Sequence, residues 1–189
     1  MQPVIHTIFM TKNLAVSIAT YFKLIESVDS KIDKLISKEY DSAIQMLDQV
    51  RNVSNPAVYS TMLVSIIDRF NQAIQLEKNE RLLLAYLGLM ICYYYLGETR
   101  ALLATQEKVA EVKFHATFWE KYGGTIKQGG CFALGAAFAV FGGGNSATVA
   151  LSGRTGGEFK DEHKQQLEYK ERRFARLKNS IITLRFTAM

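Results

Sequence analysis

From Asn13 to Ile36 apolar residues recur at three- and four-residue steps: Leu14, Ile18, Phe22 (or Tyr21), Ile25, Val28, Ile32 and Leu35. Lys23, Glu26, Asp29, Lys31 and Lys34 take the other side, which predicts an amphipathic helix with Thr11 as its N-cap. After Ser37 the pattern repeats through Tyr40, Ala43, Ile44, Leu47 and Val50. Asn52-Val-Ser-Asn-Pro56 reads as a stop and a restart, because proline suits the first turn of a helix. A third helix is expected from about Ala57 to Leu76, through Tyr59, Met62, Ile66, Phe70, Ala73 and Ile74.

The run Leu82–Gly97 is apolar all round and too short to cross a bilayer, so it predicts a buried central helix ended by Gly97. A fifth helix, Thr99 to about Tyr122, should bury Leu102, Leu103, Val109 and Val112 together with Phe118 and Trp119. The stretch from Glu158 to about Phe186 spaces Leu167, Phe174 and Ile181 seven apart, with Leu177 and Leu184 between and beyond. That narrow stripe suits a partner helix.

Parts of residues 38–112 resemble tetratricopeptide (TPR) repeats. YDSAIQMLDQV is similar to the second helix of a repeat, with Ala43, Leu47 and Val50 on its inward face. FNQAIQLEKNE resembles the end of such a helix, with Phe70 and Ala73, and AYLGLMICYYYLGE resembles the next first helix, with Tyr86, Tyr93 and Gly97. Met90 stands where the family has a small residue, and the spacing between units is not constant. The resemblance implies a scaffold that binds a peptide or protein and catalyses nothing.

Between these helices and the tail lies Gly123–Gly157, which holds eleven of the thirteen glycines. The 26 residues between Lys127 and Arg154 carry no charge. Three expectations compete for it. It inserts into or lies on a membrane, as one span or as a hairpin turning at Gly142–Asn145. Alternatively its small residues pack on the central helix while its glycines form a loop. The third is a phosphate loop, since Gly142, Gly144 and Ala147 fit G-x-G-x-x-A, although the βαβ unit and later acid of a dinucleotide site are missing. Gly129, Ala133 and Ala137 stand at i, i+4 and i+8, and with Phe138 and Phe141 they form the candidate helix-packing or membrane face.

Charge sharpens the division into residues 1–122, 123–157 and 158–189. The net charge is +5, yet residues 1–122 carry 13 basic and 13 acidic residues, so all the excess lies beyond them. Lys170, Arg172, Arg173, Arg176 and Lys178 form a candidate anionic-surface site on the tail. Aromatic residues do not alternate with these cations, so nucleic acid is disfavoured.

Candidate chemistry is sparse. His6, His115 and His163 are scattered and neither Cys92 nor Cys131 neighbours a histidine in sequence, so no metal, cofactor or catalytic residue is expected. His163 beside Asp161 and Glu162 reads as exposed helix surface. Two cysteines in apolar runs indicate a reducing compartment, and the N-terminus makes a poor secretory signal. A cytoplasmic location follows, with attachment to or insertion in a membrane as its variant.

The expectation is an all-α protein, TPR-like hairpins followed by the glycine-rich segment and a basic helix. It is a non-enzymatic interaction module of adaptor, chaperone or immunity/effector type that binds a protein partner or itself, with Tyr86, Tyr93 and Tyr94 lining the contact. A membrane-associated effector that uses the glycine-rich segment and the basic tail is the alternative, with an anionic membrane as its partner.

Overall fold

The computed structural model describes residues 13–29, 37–141 and 146–186, and of residues 28–29, 128, 131–141, 146–157 and 159 the backbone alone. The protein is all-α. The elements are α1 (Leu14–Asp29), α2 (Lys38–Val50), α3 (Pro56–Ile74), α4 (Asn79–Leu96), α5 (Thr99–Glu111), α6 (Phe118–Phe141) and α7 (Ser146–Ile182). They fall into two compact units. Residues up to Phe114 and from Phe174 onward form the first, and His115–Arg173 the second, so α7 contributes to both.

Local chemistry sets the helix ends in the first unit. The Ser37 hydroxyl accepts from the Tyr40 amide at 3.1 Å, and Glu39 and Asp41 place acid at the positive end of α2. Asn55 caps α3 by accepting from the Ala57 amide at 3.0 Å, with Pro56 already held at a helical φ. Gly97 ends α4 at φ 76°, a left-handed conformation that costs glycine little and a β-carbon-bearing residue more.

Helix α4 is the hub, packed against α1, α3 and α5, while α2 packs on α3. Leu83, Leu84, Leu87, Met90 and Ile91 are fully buried, as an all-round apolar helix requires. The spacing in α2 buries Tyr40, Ala43, Leu47 and Val50, and Leu63, Ile66, Phe70 and Ala73 do the same for α3. In α1 the deep aromatic residue is Tyr21 rather than Phe22, because its hydroxyl donates to the Leu84 carbonyl at 2.9 Å. Of the expected α1 residues, the Val28 side chain, Ile32 and Leu35, and the Thr11 cap, lie outside the described residues.

The fifth predicted helix is two helices. Helix α5 stops at Glu111, Val112 turns extended, and α6 begins at Phe118. The cause is a capping box. The Thr117 hydroxyl lies 3.3 Å from the Glu120 amide, and the Thr117 amide donates to Glu120 Oε2 at 2.8 Å. Within α5 Leu102 and Val109 are buried and Leu103 is exposed, and the break resets the register so that Phe118 and Trp119 are exposed as well.

The narrow stripe of the tail packs within its own chain. Phe174, Leu177, Ile181 and Leu184 join the core of the first unit. The Phe174 ring meets Phe114 edge-on with centroids 5.6 Å apart, and Gln106 donates to the Ile182 and Leu184 carbonyls.

Candidate functional surfaces

In the first unit Tyr86, Tyr93 and Tyr94 sit half-buried on α4. Tyr94 stacks in a tilted arrangement on Phe186, with centroids 5.2 Å apart, so the end of the chain reaches one of the three. Burial raises the Tyr86 hydroxyl pKa, and the Glu111 carboxylate raises it further, which keeps the group a neutral donor. The neighbouring Tyr95 hydroxyl lies 2.6 Å from the Ser17 hydroxyl and ties α4 to α1. Burial also pushes the Cys92 thiol well up, which removes it as a nucleophile.

The cationic residues of the tail differ in what they meet. Lys178 donates to the Val112 carbonyl at 2.7 Å and so satisfies backbone left open where α5 ends. Lys170 pairs with Glu120 Oε1 at 2.6 Å in the second unit. Arg172 donates through Nε to the Glu168 carbonyl at 3.2 Å and is exposed, as is Arg176, whereas Arg173 is half-buried.

The second unit is built on α6 and the part of α7 before Phe174. The helices run antiparallel where they touch, since Glu120 meets Lys170 and Gly124 meets Lys160. A β-carbon at residue 124 would lie 3.2 Å from the Lys160 Cα and 3.0 Å from the His163 Cβ, so the glycine allows this close approach. His163 is half-buried, and its Nε2 lies 3.1 Å from the Glu120 carbonyl oxygen. It is a packing residue of the helix pair, not the free surface residue expected from its acidic neighbours.

Glu120 joins three elements of this unit: the Thr117 cap, the first turn of α6 and Lys170 on α7. Partial burial pushes its pKa up. The hydrogen bond from Lys170, those from the Thr117 amide and hydroxyl, and the Lys170 charge outweigh burial and hold the carboxyl below the usual range. The stabilisation it brings is therefore present above the ordinary carboxylate pKa and is lost as pH falls through the lower folded value. Urea unfolding followed by Trp119 fluorescence should show the Glu120→Gln variant less stable by up to about 1 kcal/mol at pH 7. The difference should shrink as pH falls below the ordinary carboxylate range; a difference unchanged by pH would contradict the assignment.

On α6 the opposite side is bare. Phe118, Trp119 and Tyr122 are 62, 66 and 50 % exposed, with Ile126 beside them at 44 %. The Phe118 ring lies 5.0 Å from Tyr122 and 6.0 Å from Trp119 between centroids, so the three form one cluster. Sequence reading missed this surface, although Thr117-Phe-Trp-Glu120 carries the S/T-x-x-E signature that would have located it. Gly129 is exposed and has open space where a side chain would go. Ala133, Ala137, Phe138 and Phe141 follow on the α6 backbone, with side chains outside the described residues. The G-x-G-x-x-A positions Gly142 and Gly144 and the side chain of Ala147 are also outside them.

Among the described residues no helix is long and apolar enough to cross a membrane, and no group of three or more His, Cys, Asp or Glu could hold a metal ion. Compared with protein-family models, with well-characterised proteins and with solved structures, the chain matches none.

Proposed function

We propose that this chain is a non-enzymatic interaction module, in which TPR-like hairpins of the first unit hold a helical segment of a protein partner or of a second copy. The observation that carries this is the docked tail. An amphipathic helix lays Phe174, Leu177, Ile181 and Leu184, at three- and four-residue steps, into the core of the first unit. Recognition of a helix by an apolar surface through such anchors is a common binding mode. Further support comes from the packing of α2, α3, α4 and α5 in chain order, each on the next. Tyr86, Tyr93 and Tyr94 are the proposed contact residues, and half-buried tyrosines contribute large area at a small cost in side-chain entropy.

A photo-reactive phenylalanine analogue at Tyr86 or Tyr93, in the full chain within its own cells, tests this. The expected product is a discrete adduct with one protein or with a second copy, absent when the analogue replaces the exposed Asn71 on α3. If both tyrosine positions yield only uncrosslinked monomer, the proposal fails.

A further inference from the structure

The bare side of α6 calls for an occupant of a different kind. Phe118, Trp119, Tyr122 and Ile126 lie on one side of α6, away from Glu120, Gly123 and Gly124, which meet α7. Helical register carries the same stripe on through Gly129, Ala133, Ala137 and Val140, and none of these positions bears a charge. A helix of 24 residues thus has a charge-free stripe about 36 Å long, at 1.5 Å per residue.

Protein interfaces usually set an apolar centre inside a polar rim. Here the aromatic residues gather at one end of the stripe, and beyond Lys127 the helix carries no charge at all. The uncharged part of α6, Gln128–Phe141, has 14 residues, fewer than the roughly 20 that a spanning helix needs. Tryptophan and tyrosine favour the boundary between hydrocarbon and headgroups, where the ring is buried and its polar atom stays wet. The ionisable groups suit that placement. Lys121 is an exposed cation outside the side that meets α7, whereas the helix's one acid, Glu120, is bound to Lys170 on the α7 side.

We infer that α6 is a membrane-surface helix, which lies along an anionic phospholipid bilayer with Phe118, Trp119, Tyr122 and Ile126 in the interfacial region and Lys121 at the headgroups. The inference concerns the second unit and stands whether or not the first unit binds a protein.

Trp119 is the only tryptophan, so the full chain carries its own probe. Vesicles of phosphatidylcholine and phosphatidylglycerol (2:1) should shift its emission to the blue and carry the protein down on sedimentation. Binding should fall at least tenfold with phosphatidylcholine alone. Tyr122→Asp and Ile126→Asp alter exposed positions and leave the tryptophan in place. Each should weaken binding at least tenfold while the far-ultraviolet circular dichroism stays unchanged. Lys121→Gln should cut the preference for the anionic vesicles severalfold. Emission and sedimentation unaltered by vesicles would overturn the inference. So would a blue shift without lipid that grows with protein concentration alongside a dimer in sedimentation velocity, because a second copy would then cover the stripe.

Discussion

Gly88→Leu should cost the first unit about 3 kcal/mol or more, the upper range for forcing atoms into a packed core. Gly88 is buried in α4, and a β-carbon there would fall 2.6 Å from Cε2 of the Phe70 ring and nearer still to its Cζ. Phe70 is itself fully buried and meets Tyr40 edge-on at 6.4 Å, so its ring has no free direction in which to retreat. Gly88→Ala should be milder, since it adds the β-carbon alone and the roughly 1 kcal/mol of helix propensity gained over glycine offsets part of that clash. Shortening the ring supplies the control. In the Gly88→Ala, Phe70→Leu double variant the two losses should sum to more than the measured loss by at least about 1 kcal/mol, the sign of a shared contact. Urea denaturation of the four proteins measures this, and strict additivity would refute the close approach.

Phe174→Ala should lower stability by about 3–5 kcal/mol, the usual penalty for emptying a buried aromatic site. Phe174 is 4 % exposed, packs on Phe114 and opens the series of anchors completed by Leu177, Ile181 and Leu184. Two residues earlier, Arg172→Ala should change stability by less than about 0.5 kcal/mol, because that side chain is exposed. Urea midpoints and hydrogen exchange across α5 discriminate the two cases. If Phe174→Ala behaves like Arg172→Ala, the tail is not part of the first core.

Much of the first unit was legible from period alone. Of the five residues that periodicity puts on the inward face of α2, Tyr40, Ala43, Leu47 and Val50 are buried and Ile44 half-buried, and Pro56 and Gly97 mark a start and a stop. Periodicity fixes which side of a helix is apolar but not what covers it. The stripe through Phe174 and Ile181 was therefore visible, whereas its occupant, the chain's own first unit, rests on contacts between residues distant in sequence. The apolar pattern carried past Glu111 places Phe118 and Trp119 in the interior, where the structure does not have them. Reading the Thr117–Glu120 box would have ended that helix and turned both rings outward. His163 illustrates a different limit, since its role depends on two glycines forty residues earlier that leave room for its ring.

Phe114 and Phe174, the residues on either side of the second unit, touch. The chain thus leaves the first unit and re-enters it at adjacent stitches, and the excursion between them resembles a cassette sewn into a finished fabric. Joining such neighbouring ends directly would shorten the loop that folding must close and so lower its entropic cost. By the same logic, a cassette of another length or character could be exchanged at this seam while the ring contact that defines it persists.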